Sequence, residues 1–317
     1  MKRGQKSPSV DMNVAHRWED LAGVAGPMTM ALGFFDGVHR GHQAVLRAAI
    51  ERAAEWPAQA WVLTFNPHPL KVLRPQEAPR LLTSNEHKLR LMREAGMQGC
   101  LVLPFTAELA GREPEEFLQD LCTAAPQLKE IIAGTNWTFG RRARGNADLL
   151  RTWSAPRGIA VTLVPPVEWQ GQPVSSTRIR RAVQEGDLEA ARAMLGRPFS
   201  ILGTVVKGKQ LGGQLGFPTA NVDPHNEVRP PPGVYDVRAA AGADQWGGAA
   251  FLDEGPPSGS GAFEVHLLDF SGDLYGRHLE VFFTRYLRGV ERFATLEELQ
   301  AQIARDVARV RASPENG

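Results

Sequence analysis

Two histidines three residues apart, His39 and His42, stand where a short apolar strand gives way to an amphipathic helix. Gly37 and Gly41 beside them allow a tight turn and a close approach of the backbone to a ligand. A helix N-terminus offers unpaired N–H groups and a positive dipole end, and imidazole N–H groups there can hydrogen-bond a triphosphate. The alternative is a βα turn with two surface histidines, but the strand, the glycines and the helix together favour a phosphate site.

A second candidate phosphate site lies before a helix in the middle of the chain. Ser175, Ser176 and Thr177 would bring hydroxyl and N–H groups together at the helix start. Arg180 is one turn beyond Ser176 on the same helix face, from which its guanidinium could reach a β- or γ-phosphate. The spacing therefore predicts an anion site at this helix.

A third candidate site follows a glycine-rich turn in the C-terminal half. Thr219 and Asn221 offer hard oxygen ligands, which suit Mg²⁺ that bridges nucleotide phosphates. Glycine-rich backbone can wrap a phosphate, although ordinary loops are often built in the same way. The glycines of this turn are Gly208, Gly212, Gly213 and Gly216.

Apolar runs and amphipathic stretches alternate through the N-terminal half. Short apolar strands separated by helices are typical of βαβ units that build a parallel, doubly wound sheet. Ligands of such sheets bind at the carboxyl ends of the strands, often against helix N-termini. We therefore predict an α/β Rossmann-like domain with strands at residues 29–34, 60–65, 99–103, 130–133 and 159–164, and helices at residues 41–55, 85–95, 113–122 and 146–154.

The pattern changes beyond residue 198, where Gly and Pro become frequent and short strands alternate with turns. This favours a compact antiparallel barrel or sandwich, on which a C-terminal helix at residues 295–311 should pack. Residues 175–195 should form two helices broken at Gly186, with Asp187 as the N-cap of the second. We place the domain boundary near Gly186. The predicted strands of the second domain are residues 200–206, 233–240, 263–269 and 278–286.

The bulk composition is that of an ordinary globular protein with two domains. The chain has 317 residues, of which 43% are hydrophobic and 22% charged, and its formal net charge is +1. Such a balance gives no global attraction to nucleic acid or to an acidic membrane. Cys100 and Cys122 are best interpreted as free thiols in a reducing compartment. With neither a secretory signal nor a long apolar run, we expect a cytoplasmic protein without membrane or nucleic-acid partners.

The N-terminal motifs resemble those of a known family. The segment FDGVHRGH at residues 35–42 resembles the signature of the prokaryotic bifunctional riboflavin kinase/FMN adenylyltransferase (FAD synthetase) family. Three further segments are similar to motifs of that family and stand in the same order. They are TFNPHP at residues 64–69, GTNWTFG at residues 134–140 and SSTRIR at residues 175–180.

The C-terminal half resembles the riboflavin kinase part of the same family. The matching segments are GQLGFPTANV at residues 213–222, PGVY at residues 232–235 and EVHLLDF at residues 264–270. One segment departs from the family, because residues 247–257 lack the usual Asn and Pro-Thr, with Ala250 at the Asn position. Gln214 also stands where Arg is common. These departures predict either a rebuilt pocket or reduced kinase activity.

The resemblance implies an enzyme that phosphorylates riboflavin to FMN and adenylylates FMN to FAD, with release of pyrophosphate. It implies ATP as co-substrate, flavins as substrate and product, Mg²⁺, and two domains at residues 1–186 and 187–317. We expect a monomer or weak homo-oligomer with small-molecule partners. The alternatives are an adenylyltransferase with a weak or inactive kinase domain, and a non-catalytic flavin-binding protein.

The family also implies a role for each matching residue. His39 and His42 would be the catalytic residues of adenylyl transfer, and Glu264 would be the general base of the kinase. The first nucleotide site would comprise Gly33, Phe35, Asp36, Gly41, Asn136, Ser175, Ser176, Thr177 and Arg180, with Asn66, Pro67 and His68 for flavin and nucleotide. The kinase nucleotide site would comprise Gly208, Gly213, Gly216, Pro218 and Thr219, with Thr219 and Asn221 as metal ligands.

Overall fold

The computed structural model describes residues 12–55, 57–208, 211–253 and 261–313. These residues divide into two compact units. The first consists of residues 12–79 and 85–175, and the second of residues 80–84 and 176–313. Among the described residues, no helix is both long and apolar enough to cross a membrane.

The first unit is built on a parallel sheet with helices in the connections between strands. Its strands are β1 (Asn13–Ala15), β2 (Met28–Leu32), β3 (Gln59–Asn66), β4 (Gly99–Pro104), β5 (Leu128–Gly134), β6 (Ala160–Val164) and a short hairpin of β7 (Glu168–Trp169) and β8 (Gln172–Pro173). Its helices are α1 (Arg40–Glu55), α2 (Pro69–Leu73), α3 (Asn85–Glu94), α4 (Ala107–Gly111), α5 (Pro114–Ala124) and α6 (Ala147–Ser154). Short 3-10 helices span Trp18–Gly23, Pro75–Glu77, Arg141–Ala143 and Ala155–Arg157.

The six strands β1 to β6 pair in the order β1-β4-β3-β2-β5-β6, and every pair is parallel. The predicted Rossmann-like domain is confirmed, and its five predicted strands and four predicted helices all form, with ends within about three residues of those expected. The prediction missed β1, α2, α4 and the hairpin of β7 and β8. They have two to five residues each, which is too short for a hydrophobic period to be visible.

Helix α1 is held against the sheet by apolar packing and by a partly buried ion pair. Val45, Leu46 and Ala49 face an apolar core of this unit. The Arg52 guanidinium donates to both carboxylate oxygens of Glu130 on β5, at 2.9 and 2.8 Å, and Glu130 is only 1% exposed. These contacts fix where the N-terminus of α1 meets the carboxyl edge of the sheet.

The second unit is a closed barrel flanked by helices. Its six strands pair in the order β10-β13-β12-β11-β14-β9, and all neighbours are antiparallel. Its helices are α7 (Ser176–Gln184), α8 (Leu188–Leu195), α9 (Leu211–Gln214) and α10 (Leu296–Arg311). The strands are β9 (Ser200–Val206), β10 (Ala220–Pro224), β11 (Gly233–Ala241), β12 (Asp244–Leu252), β13 (Phe263–Leu267) and β14 (His278–Arg288).

The predicted barrel and the two helices before it are confirmed. Asp187 caps α8, since its Oδ1 accepts a hydrogen bond from the Ala190 N–H at 2.9 Å. The sequence prediction missed β10 and β12. β12 is rich in glycine and alanine, which have low strand propensity, and it forms because both of its edges find partners.

The C-terminal helix packs on the barrel as predicted. Val307 and Val310 are buried against Leu268. Arg288 at the end of β14 donates to both carboxylate oxygens of the buried Asp306 on α10. The Nε–Oδ1, Nε–Oδ2 and Nη2–Oδ2 distances are 3.2, 3.0 and 2.8 Å. An apolar contact and an ion pair thus hold α10 in one position.

A close packing of Trp61 on Gly99 gives a test of the first unit. The two residues face each other on β3 and β4, and a Cβ atom at Gly99 would stand 2.1 Å from the Trp61 ring, which is buried. We predict that Gly99→Ala lowers the free energy of unfolding by about 2 kcal/mol, because the core must shift to accept the methyl group.

Gly111→Ala is the matched control, because nothing lies within 4 Å of a Cβ atom at Gly111. It should change the free energy of unfolding by less than about 0.5 kcal/mol. Chemical denaturation followed by tryptophan fluorescence measures both variants. Equal stability of the two variants would contradict the packing described for β3 and β4.

Candidate functional site

The stacked pair of His39 and His42 lies at the start of α1, just beyond the carboxyl end of β2. The two imidazole rings are 3.6 Å apart between centroids and nearly parallel, with an interplanar angle of 16°. His39 is only 6% exposed, and its Nδ1 accepts a hydrogen bond from the backbone N–H of His42 at 3.3 Å. The predicted pair of histidines therefore sits at a helix N-terminus, with His39 Nδ1 acting as an acceptor.

The surroundings of His42 favour a neutral ring. Burial lowers the pKa of His42 well below 6.5, and the neighbouring charges of His39 and Lys88 act in the same direction. Within the described residues, no group hydrogen-bonds His42 Nδ1, which is buried. A neutral imidazole can donate one hydrogen bond and accept another without adding charge to a site.

The loop from β2 to α1 takes an unusual backbone path. Phe35 and Val38 have positive φ angles of 59° and 38°, in the region that favours glycine. The Phe35 ring is 1% exposed and stands edge-on to His42, with centroids 5.2 Å apart. A Cβ atom at Gly33 would stand 3.0 Å from that ring. The Phe35 side chain thus supports His42 from inside the core, and a ligand could contact Phe35 through its backbone.

The predicted residues of the first unit gather at the carboxyl ends of three neighbouring strands. Gly33 and Asp36 follow β2, Asn66 ends β3, and Asn136 follows β5. Parallel strands place these ends at one edge of the sheet. A Cβ atom at Gly41 would stand 3.9 Å from the Val174 carbonyl oxygen, so the chain leading into Ser175 also passes the start of α1.

The TFNPHP segment connects β3 to α2. Asn66 and Pro67 are exposed, and the peptide bond between them is cis. His68 is half-buried, and its Nδ1 accepts a hydrogen bond from the Leu70 N–H at 3.1 Å, which caps α2. Asn66 and Pro67 are therefore accessible to a ligand, while the His68 ring already has one structural role.

The remaining residues of the SSTRIR segment belong to the second unit. Ser176 begins α7, and Thr177 is exposed on its first turn. Arg180 Nε donates to the carbonyl oxygen of Arg80 at 2.7 Å, which ties α7 to the segment of residues 80–84. The predicted phosphate ligand Arg180 therefore has a structural contact that the sequence did not reveal.

In the barrel, Thr219 and Glu264 form a direct contact. Strands β10 and β13 pair with Asn221 opposite Glu264, and Thr219 Oγ1 donates to Glu264 Oε2 at 3.1 Å. A Cβ atom at Gly208 would overlap the Asn221 side chain at 2.2 Å. The predicted general base, the predicted metal ligands and one predicted glycine thus lie together.

The other predicted residues of the barrel site are Gly213, Gly216 and Pro218, which precede Thr219 in the chain. Pro218 presents its carbonyl oxygen to His266 Nδ1 at 2.9 Å, whereas Cβ atoms at Gly213 and Gly216 would meet open space. Pro218 and Thr219 line a cavity of about 410 Å³, together with the loop that includes Phe270 and Tyr275. The backbone around Gly213 and Gly216 is therefore free to approach a ligand.

Part of the segment that departs from the family pattern, residues 247–253, is among the described residues. Ala250 is fully buried on β12, opposite Val265 of β13. A methyl group thus stands on a buried face of β12 at the position where the resemblance predicts an asparagine. Residues 254–257 of the departing segment lie outside the described residues.

Lys88 is a buried cation that sequence reasoning missed. It lies in the first turn of α3, where a lysine beside Glu86 and His87 is typical of a solvated helix face. The structure instead places its ammonium among main-chain carbonyl groups at the ends of β2 and β3. Its contacts with Phe34 and Phe65, beside the FDGVHRGH segment and within the TFNPHP segment, distinguish it, whereas no local pattern does.

Comparisons with known proteins agree with this geometry. A FAD synthetase family model matches residues 23–178, and a riboflavin kinase family model matches residues 195–313. The bifunctional riboflavin kinase/FMN adenylyltransferase of Escherichia coli K12 is 37% identical over 280 residues, which cover 87% of this chain and 90% of that protein. The Pseudomonas fluorescens enzyme of the same description is 38% identical over 290 residues, covering 89% and 91%.

One solved structure has nearly the whole architecture in common with this chain. It is a crystal structure of a Streptococcus pneumoniae protein described as a macrolide-efflux protein. The two chains superpose with a TM-score of 0.84 and 28% identity, over 95% of this chain and 99% of the other. The order of the two units is therefore the same in both proteins.

The neutral state of His42 gives a pH prediction. The unfolded chain binds a proton at His42 near pH 6.5, whereas the folded chain binds it only at lower pH. The free energy of unfolding should therefore fall as the pH drops below about 6.5, and it should fall less steeply in a His42→Gln variant. Urea denaturation of both proteins between about pH 7.5 and 5.5 measures this difference, and equal slopes would contradict a neutral His42.

Proposed function

Because the chain belongs to the bifunctional riboflavin kinase/FMN adenylyltransferase family, we propose that it makes FMN from riboflavin and then FAD from FMN, using one ATP for each step. The barrel would carry out the first step and the parallel-sheet unit the second. The observation that carries the proposal is the presence of two separate sets of site residues. One is the stacked pair of His39 and His42, and the other is the contact of Thr219 with Glu264.

In adenylyl transfer, an oxygen of the FMN phosphate attacks the α-phosphorus of ATP in line, and the bond to pyrophosphate breaks. The reaction needs positioning and charge stabilisation more than covalent participation by the protein. His39 and His42 would donate N–H groups to the oxygens of the α-phosphate as negative charge grows there. A neutral His42 suits this role, because it can donate a hydrogen bond without a protein carboxylate beside it to balance a positive charge.

The other residues of this step are assigned through their motifs. Gly33, Asp36 and Gly41 belong to the segment from β2 to α1, where the triphosphate would lie. The Phe35 ring packs edge-on against the His42 ring. Asn136 would contact the adenosine or its ribose. Flavin and nucleotide contacts are assigned to Asn66, Pro67 and His68, and the departing pyrophosphate to Ser175, Ser176, Thr177 and Arg180.

In the kinase step, the 5′-hydroxyl oxygen of the ribityl chain attacks the γ-phosphorus of ATP, and ADP leaves. Glu264 would accept the hydroxyl proton as the new O–P bond forms. The hydrogen bond from Thr219 orients the carboxylate in the free protein. The backbone of Gly208, Gly213, Gly216 and Pro218 would wrap the phosphates of ATP.

Thr219 and Asn221 fit a Mg²⁺ site of the kind that is completed by a nucleotide. Both offer neutral oxygen atoms, and the described residues include no group of three or more His, Cys, Asp or Glu side chains placed to bind a metal. Mg²⁺ bound here would take most of its ligands from phosphate and water, and would neutralise charge on the transferred phosphate.

We further propose a functional boundary between residues 186 and 187. This assigns α7 to adenylyl transfer through its SSTRIR motif, although α7 packs within the second unit. We also propose that the protein is cytoplasmic and a monomer or weak homo-oligomer. Burial raises the pKa of Cys100 to about 12 and that of Cys122 to about 11, so both thiols would stay protonated and unreactive in a reducing compartment.

The second candidate function is an adenylyltransferase whose kinase domain is weak or inactive. The buried Ala250 favours it, because the methyl group removes a polar contact from the interior of the barrel. Under this alternative the chain would form FAD only from supplied FMN. A non-catalytic flavin-binding protein would consume no ATP at either site.

Two variants should separate the activities within one chain. His42→Ala should lower FAD formation by about 100-fold or more while FMN still accumulates from riboflavin. Glu264→Gln should lower FMN formation by about 100-fold or more while FAD still forms from supplied FMN. Chromatography of the flavins after incubation with ATP and Mg²⁺ measures both products.

Exposed residues of the same types provide the controls. His16→Ala in the first unit and Glu189→Gln in the second should leave both rates within about twofold of the natural protein, because both side chains are exposed and neither is assigned to a site. Undiminished FAD synthesis by the His42 variant, or undiminished FMN synthesis by the Glu264 variant, would refute the corresponding assignment.

A further inference from the structure

We propose that Lys88 is a positioning residue for adenylyl transfer, because its buried ammonium ties the loop after β2 to the end of β3. These two segments carry the FDGVHRGH and TFNPHP motifs, and Lys88 itself lies outside every motif. The inference rests on the adenylyltransferase function proposed for the first unit.

The contacts of Lys88 account for all of its hydrogen-bond donors. The residue is 4% exposed, and Nζ lies 3.1 Å from Thr64 Oγ1, 3.3 Å from the Phe65 carbonyl oxygen and 3.4 Å from the Phe34 carbonyl oxygen. An ammonium has three N–H donors, so donors and acceptors match. Thr64 Oγ1 also donates to the Phe34 carbonyl oxygen at 2.9 Å. The result is a closed network between β3 and the loop that leads to His39 and His42.

The Lys88 ammonium is also linked to the TFNPHP segment through the Phe34 ring. Nζ lies 4.7 Å from the centroid of the Phe34 ring, within the range of a cation–π interaction. The Phe34 ring stands edge-on to the His68 ring, with centroids 4.2 Å apart. Lys88 thus helps to hold Phe34, and Phe34 in turn holds the imidazole that caps α2.

Titratable groups face Lys88 from three other elements. Burial lowers the pKa of Lys88 to about 8, while Cys100 on β4 and Asp36 in the loop after β2 act in the opposite direction. The charge of Lys88 is one of the influences that lower the pKa of His42 on α1. The Cys100 thiol, with a pKa of about 12, stays neutral near pH 8. At neutral pH the lysine is therefore charged and His42 is not.

Loss of the lysine proton would weaken this network. A neutral amine has two N–H donors for three acceptors and no cation–π attraction. One carbonyl group then lacks its donor, and the loop after β2 is less firmly tied to β3. A shift of about 1 Å in reacting groups can cost about 100-fold in rate. The kcat for FAD formation should therefore decline above about pH 8.

Three variants test the role of Lys88. Lys88→Met keeps the length of the side chain but removes its charge and donors, and Lys88→Arg keeps a cation that does not deprotonate in this range. Lys129→Met changes an exposed lysine of the same unit and is the matched control. For each protein, the kcat and KM of FAD formation from FMN are measured from about pH 6.5 to 9.5, with the riboflavin kinase rate of the same sample as the internal check on folding.

We expect Lys88→Met to lower the kcat of FAD formation by about 100-fold with less change in KM for ATP, while the kinase rate stays within about twofold. Lys88→Arg should recover part of the lost rate and should lack the decline near pH 8. The Lys129 control should match the natural protein in both rate and pH profile.

Two results would overturn the proposal. One is FAD synthesis by Lys88→Met within about twofold of the Lys129 control. The other is a kcat of the natural protein that stays level to about pH 9.5, which decides the question even if the variants fail to fold. An absence of FAD synthesis by the natural protein would instead refute the proposed function.

Discussion

The buried His39 ring, the half-buried His42 ring and the buried Lys88 ammonium lie together at the carboxyl edge of the parallel sheet, where positive charges oppose one another. Burial and the neighbouring cations keep His42 neutral, whereas Lys88, whose pKa burial lowers only to about 8, stays charged at neutral pH. The arrangement depends on α1 meeting the sheet at a fixed place, which the ion pair of Arg52 with the buried Glu130 secures. It depends equally on the left-handed turn at Phe35, which places an aromatic ring under His42. Stability and chemistry are therefore linked at this edge.

The site in the barrel is organised differently. Glu264 is half-buried, receives a hydrogen bond from Thr219 and lies across from Asn221 in the strand register. Small residues provide the space, as at Gly208, where any side chain would displace the Asn221 amide. The first site is thus organised by electrostatics in a closed interior, and the second by strand register and by glycine. This contrast explains why one chain can hold two phosphate-transferring sites with different residue types.

Sequence periodicity predicted the long elements well, because each buries one apolar face along its whole length. It failed for β1 and β12, whose three residues and whose run of glycine and alanine carry no signal of their own. The candidate site residues were predicted from motifs, which describe contiguous segments. Lys88 could not be found in this way, because its burial arises from strands that are distant in sequence. The contact of Arg180 with the Arg80 carbonyl oxygen was missed for the same reason.

The central claim is that one chain carries out both phosphate-transfer steps. The most direct test is a time course of the products that the purified natural protein forms from riboflavin, ATP and Mg²⁺, separated by chromatography. The account predicts that FMN appears first and that FAD and pyrophosphate follow as FMN is consumed. FAD formation that occurs only when FMN is supplied, with no FMN made from riboflavin, would contradict it.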